Sequence, residues 1–292
     1  MSTPVPFHLL ARGRKHWLSI AELVLVPVFF VALQIGFFIL FMLVHEEDSE
    51  MLDIFILAAT VPAAFWAAWI TRRDPTALLS VANRVRWPLV WRSLLVAAPA
   101  YAAVFAVEAT AEDAVITAST ITAALFFVLV VPLQAASEEL VFRGALPQIA
   151  GTWLRSPWLA YALPIPAFVA LHAYNWIGLI DIFCFAVFAS YLTWLTNGLE
   201  AAIVLHATSN ISVFAAQALH PDEAPPTEIA WQDATISVLF TLAVTVAIVL
   251  MLRKDIRKER PRAKDSQISA AESTAETAAE REDEAVNRAL PR

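Results

Sequence analysis

Cysteine and charge are both scarce in this chain, and each scarcity closes off a class of protein. Cys184 is the only cysteine among 292 residues, so neither a disulfide framework nor a Cys-based metal site is available. Charged residues make up 16% of the chain, against 59% apolar residues and a mean hydropathy of +0.63. Ordinary soluble domains are roughly 45–50% apolar. The few charges here lie mostly in short clusters between long apolar runs, so there is too little polar surface to cover a water-soluble globule. The formal charge of -7 owes much to acids recurring from Glu272 to Glu284, and it points to no nucleic-acid partner. No repeat of solenoid period is present, and no convincing inverted-repeat symmetry of the transporter kind.

Long apolar runs are what the chain has instead. They cover roughly 17–44, 51–71, 89–107, 117–137, 157–176, 177–196, 199–219 and 233–252, each near the ~20 residues needed to cross a bilayer. The first run follows Arg12, Arg14 and Lys15; it is too long for a signal-peptide core and lacks a small-residue cleavage site, so it reads as an uncleaved span. The expected fold is an all-α membrane protein, a bundle of about eight transmembrane helices. Arg12/Arg14/Lys15, Arg72/Arg73/Arg84/Arg86/Arg92, Arg155 and Arg253/Lys254/Arg257/Lys258 fall on one side of that count. Acidic loops at Glu46 to Glu50, Glu108 to Asp113 and Asp222 to Glu228 fall on the other. Cationic loops stay cytoplasmic, so both termini are expected there. Residues 1–16 then form a cytoplasmic N-terminus and 17–252 the membrane domain. Residues 253–292, basic and then rich in Ala, Ser, Thr and Glu, are expected to be a disordered cytoplasmic tail.

Ionisable groups at membrane depth are costly and usually face the bundle interior, so each marks a candidate site. Three clusters stand out. In Ser137-Glu138-Glu139-Leu140-Val141-Phe142-Arg143-Gly144, Glu139 and Arg143 are i and i+4 and can pair on one helix face. Glu138 points about 100° away and has no such local partner, which leaves it free for chemistry. The plain alternative is a helix end whose charges are solvated at the interface. In Pro166-Ala167-Phe168-Val169-Ala170-Leu171-His172, Phe168 and His172 lie one turn apart, and taken alone His172 reads as a core histidine bonded to a backbone carbonyl. In the run from Asn197 to Asn210, His206 and Asn210 share one stripe, while Ala201, Ala202 and Ala207 allow close helix approach. An interhelical hydrogen-bond pair that holds the bundle together is the competing reading there. Glu108 and Glu200 lie near helix ends and read as interfacial, although Glu200 shares the helix of His206.

Taken together, Glu138-Glu139-x3-Arg143, Phe168-x3-His172 and His206-x3-Asn210 resemble the successive motifs EExxxR, FxxxH and HxxxN/D of the CPBP family. These are intramembrane proteases that include the type II CAAX prenyl endopeptidases and the bacterial Abi proteins. The resemblance covers roughly residues 130 to 215. It implies an integral, multi-pass endopeptidase, in a bacterial cell membrane by analogy, acting on a peptide or protein substrate that is lipidated or membrane-bound. It further implies that Glu138 with His172 activates a water, that His206 with Asn210 stabilises the oxyanion, and that Glu139, Arg143 and Phe168 support them. No cofactor is implied.

Residue chemistry is compatible with those roles. A carboxylate in a low-dielectric cavity is moved toward the proton affinity a general base and later acid needs. An imidazole and an amide can both donate to developing negative charge. Other readings stay open. Glu138, His172 and His206 can be counted as two-His, one-carboxylate zinc ligands, although HExxH is absent. Ser137 and Ser209 flank the motifs without a His base at helical spacing on their own helix. A proton-coupled transporter would spread polar groups through both leaflets, and a non-catalytic immunity or binding protein would need the fold alone. With straight helices His172 falls nearer the outer end of its span, and Glu138 and His206 nearer the inner end. Prolines 132, 147, 164 and 166 can kink or shift the helices to level these depths, and the fourth helix is then expected to run past Arg143 toward Trp153.

Overall fold

A computed structural model describes residues 5–43 and 50–259. Its compact unit is Val5–Arg253, and the described residues from Lys254 to Glu259 lie outside that unit. The described residues are helical, with two loops meeting in a lone antiparallel bridge, Ser80 to Gly198. In order the helices are α1 (His16–Met42), α2 (Glu50–Ala58), α3 (Pro62–Ile70), α4 (Trp87–Glu108), α5 (Ala118–Glu139), α6 (Leu146–Ala150), α7 (Pro157–Ala162), α8 (Ile165–Ala170), α9 (Trp176–Thr196), α10 (Glu200–Gln217) and α11 (Trp231–Glu259). A π-helical turn, Leu140–Ala145, joins α5 to α6 without a break.

Six of these stretches are long and apolar enough to cross a membrane: α1, α2 with α3, α4, α5 through α6, α9 and α11. The chain is therefore a multi-pass membrane protein, with six such spans among the described residues in place of the eight expected. Two expected spans depart for local reasons. The 157–176 run is split into α7 and α8, because Pro164 and Pro166 lack the N–H that would continue the ladder and Pro166 instead occupies the first turn of α8. The 199–219 run does form one helix, α10, but it lies inside the bundle, packed on α4, α5 and α9. Its small residues Ala201, Ala202, Ala207 and Ala215 are buried, which lets the neighbouring backbones approach. The lipid-sized apolar side chains sit elsewhere: Val24, Val28, Val31, Ile35 and Ile39 of α1, and Leu125, Leu129 and Leu133 of α5, are all exposed, as a bilayer-facing surface requires.

Helix ends follow familiar chemistry. Thr117 and Thr120 form a reciprocal capping box at the start of α5. The Asn175 side chain caps α9 by accepting from the Gly178 N–H at 2.9 Å. Asn197, in the left-handed region at φ 52°, turns the chain from α9 into α10. α11 continues to Glu259, so residues 253–259 are helical where a tail was expected; Arg253, Lys254 and Arg257 there suit the negative end of the helix dipole. The acidic stretch 46–49 and the tail from 260 lie outside the described residues.

Two buried ion networks lock the ends of the helices. Arg86 grips Glu200 with Nε at 2.8 Å from Oε1 and Nη2 at 2.7 Å from Oε2, and its backbone N–H donates to the same carboxylate at 2.9 Å. Glu200 is therefore a buried structural acid, contrary to its reading as interfacial. Gly198 makes room for this grip, since a Cβ there would collide with both Arg86 and Glu200. Glu22, fully buried in α1, is bound by Arg14, Arg73 and Thr71, and Arg73 reaches on to Gln148 of α6. Nothing in the motif reading singled out Glu22; a lone acid within an apolar run was the available signal.

Candidate active site

The motif residues converge because α5 does not stop at Ser137. Helical structure continues through the π turn to Ala150, so Glu138 falls inside a single stretch, Ala118–Ala150, and not at its end. The backbone N–H of Leu146 bonding to the Val141 carbonyl is the i to i+5 contact of a π turn, a feature common at functional sites. On the other side, α8 ends at Ala170, and His172 lies just past it in the turn toward α9. These two departures remove the depth mismatch expected from straight helices. Glu138, Phe168, His172, His206 and Asn210 all line one cavity of about 440 Å³.

Within it, His206 is the centre of the polar contacts. Its Nδ1 lies 2.8 Å from Glu139 Oε1 and its Nε2 3.3 Å from Glu138 Oε2. Adjacent acids on one helix reach the same ring because an imidazole offers nitrogens on two sides. Glu139 also accepts from Arg143 Nη1 at 2.9 Å, with both side chains at 1% exposure or less. The pair expected at i and i+4 is thus present, and it serves as the anchor for His206. An ionised Glu139 can only accept, so Nδ1 of His206 carries a proton and Nε2 is the nitrogen presented to Glu138 and the cavity.

His172 makes the bond its plainer reading anticipated: Nδ1 is 2.9 Å from the Phe168 carbonyl. Its ring nonetheless lines the cavity, which leaves Nε2 as the free nitrogen. Asn210 donates from Nδ2 to Gln134 Oε1 at 3.1 Å, so it too makes an interhelical bond. Gln134, one turn before Glu138 and buried, is a cavity residue that the motifs did not name; its i, i+4 spacing to Glu138 was the signal. Phe168 packs among these groups, 4.8 Å from the His172 ring and 6.2 Å from that of His206, with the Arg143 guanidinium 4.1 Å above its face. Ser137 gives its hydroxyl to the Gln134 carbonyl at 2.7 Å, which removes it as a nucleophile candidate.

The zinc reading can be tested against the donor positions. Among the described residues, one trio has donor atoms all within 4.8 Å of one another, Asp113, His220 and Glu223 in the loops at the α4 and α10 ends. Glu138, His172 and His206 do not form such a group, and both nitrogens of His206 face carboxylates.

Residues 118–212 match the family model described as type II CAAX prenyl endopeptidase Rce1-like. Over this segment the chain is similar to that peptidase family. The matched segment runs from α5 into α10 and so holds all of the motif residues. No curated protein and no solved structure matches the chain. The family so described is one of endopeptidases, and the six apolar spans of this chain agree with a membrane-bound member of that class.

Proposed function

We propose that this Rce1-like peptidase is of the glutamic type and hydrolyses a peptide bond in the cavity between α5, α9 and α10. The observation behind the reading is the shared cavity of Glu138, His172, His206 and Asn210, backed by the buried Glu139–Arg143 pair. Glu138 removes a proton from a water held with His172 Nε2 as that water attacks the scissile carbonyl. A carbon–oxygen bond forms and the carbonyl electron pair moves onto oxygen. Asn210 keeps one N–H of its amide free after donating the other to Gln134. His206, its Nδ1–H held by Glu139, enters the reaction already protonated on Nε2 as well, and it keeps that proton while turning the Nε2–H hydrogen bond from the Glu138 carboxylate to the oxyanion. Such donors are each worth on the order of 10²–10³ in turnover. As the carbon–nitrogen bond breaks, Glu138 returns its proton to the leaving amine. A peptide presented at the membrane, including one that bears a lipid, is the proposed substrate class, and the loop charges favour cytoplasmic termini.

Cleavage of a peptide library in detergent by wild type, Glu138→Gln and His206→Ala, each with and without a chelator, tests the proposal. Loss of turnover in both variants with no chelator effect is expected. Equal turnover in all three proteins would reject the assignment, and chelator-sensitive turnover would restore the zinc reading. A wild type that cleaves nothing would favour the non-catalytic binding protein.

A further inference from the structure

Asp181 is the unexplained charge of the cavity. It lies on α9 within an apolar span and lines the same cavity as the motif residues, yet it belongs to none of the motifs. Glu138 and Asp181 are the two acids of that lining, and no Lys or Arg lines it among the described residues. Glu138 has His206 at 3.3 Å, and Glu139 behind it has Arg143. The Asp181 carboxylate accepts from the Ser237 hydroxyl of α11 and lies within electrostatic reach of Tyr101 and Cys184, none of them a cation. The same cavity is lined by Ile182, Phe185, Val213 and Ile229, with Ser209 and Thr241 among its polar residues. A carboxylate at membrane depth is costly unless a partner meets it, and neither Lys nor Arg is among the described side chains of the cavity.

We propose that Asp181 and Ser237 form a specificity subsite for a basic side chain of the substrate peptide. The inference rests on the peptidase reading and adds the substrate class. Its position follows from α9: the Phe185 ring packs 4.9 Å from the His206 ring, and Asp181 lies one turn earlier. Asp181 is therefore on the order of 10 Å from His206, the length of roughly three extended residues. A Lys or Arg about two to four residues from the scissile bond reaches the carboxylate, while the apolar walls take its neighbours. Because the contact is remote from the reacting bond and forms alike in ground and transition states, it acts on KM more than on kcat.

The probes are three labelled peptides, identical except for Lys, Ala or Glu at a position three residues from a site that wild type cleaves in an apolar sequence. Wild type is expected to show kcat/KM for the Lys peptide about tenfold above the Ala peptide, with Glu poorest. In Asp181→Asn, which keeps a partner for Ser237, the Lys/Ala ratio collapses toward one, and in Asp181→Glu it is retained. A misfolded variant would lose all three peptides together, so the ratio separates the subsite from structural damage. The same peptides binding to Glu138→Gln protein give a readout independent of turnover: Lys binds tighter than Ala, and the added Asp181→Asn abolishes the difference. A Lys/Ala ratio equal in wild type and Asp181→Asn, or equal binding of Lys and Ala peptides to Glu138→Gln, overturns the subsite. Turnover that survives Glu138→Gln overturns the mechanism instead.

Discussion

Replacing Glu139 by Gln separates what the buried pair does for stability from what it does for His206. Glu139 accepts from Arg143 Nη1 at 2.9 Å and from His206 Nδ1 at 2.8 Å, and both charged groups are excluded from solvent. Glu139→Gln removes the negative charge and leaves the guanidinium buried without a counter-charge, a loss of roughly 3–5 kcal/mol when such a pair is broken. A single N–H···O bond joins the pair, and Glu139 Oε2 and Arg143 Nη2 have no hydrogen-bond partner among the described residues, which argues for the lower half of that range. Melting in detergent should fall by on the order of 10 °C. The double variant Glu139→Gln with Arg143→Met removes both charges. It also exchanges the cation over Phe168, about 0.5–2 kcal/mol, for a sulfur–aromatic contact of similar size, so most of the melting temperature should return. Turnover should not return with it. In the double variant His206 Nδ1 donates to a neutral amide oxygen, and a charge-assisted bond is about twice as strong as a neutral one. That difference lowers single-turnover cleavage about tenfold. Recovery of melting and cleavage together would refute the argument, because Glu139 would then be structural alone.

Three further perturbations probe other parts of the molecule. Gln134→Ala frees the Asn210 amide that it holds at 3.1 Å; kcat should fall about tenfold with KM little changed, and an unchanged kcat would remove Gln134 from the site. Gly198→Ala pushes a methyl group into Arg86 and Glu200 and should cost roughly 3 kcal/mol in a denaturation experiment, with Glu200→Gln giving a similar loss. His8, buried at 3% exposure with Nε2 near the Arg155 carbonyl, has its pKa lowered below the usual imidazole value chiefly by burial. Protonation then favours the unfolded chain, so its contribution is complete above about pH 6.5 and declines as pH falls further. Melting recorded between pH 7.5 and 5 should slope downward in wild type and flatten in His8→Asn.

How much of this was readable from the chain alone depends on the range of the contact. The Glu139–Arg143 pair was, because i to i+4 proximity survives either an α or a π turn. So was the shared stripe of His206 and Asn210 on α10. Contacts between distant segments were not. Arg86 and Glu200 are 114 residues apart and meet only because the 79–81 and 197–199 loops bond to one another, so a hydropathy window sees two separate interfacial charges. Glu22 and Arg73 are hidden for the same reason. Helix count failed at prolines, where the apolar composition of 157–176 continues but the hydrogen-bond ladder does not.

The π turn that follows Glu138 and Glu139 sets how the helix bearing them meets the rest of the fold. Two neighbouring carboxylates in a straight α-helix diverge by about 100°, which reads as one paired acid and one free acid. In the folded chain they converge again on His206, one at each ring nitrogen. The helix that bears them needs its downstream half to bury Arg143 and Gly144 against other segments: Arg143 over Phe168, and Gly144 close to the Leu78 carbonyl. An extra residue in the turn changes the phase of everything after Leu140 relative to everything before it. That phase shift lets Glu138 face the cavity from one side of the turn while Gln148 meets Arg73 from the other. Deleting one residue of the π turn, Val141, should therefore restore a regular helix and uncouple the two halves. If the shift matters, the deletion variant retains helical content by circular dichroism and loses peptide cleavage; retained cleavage would show that the π turn is incidental to the site.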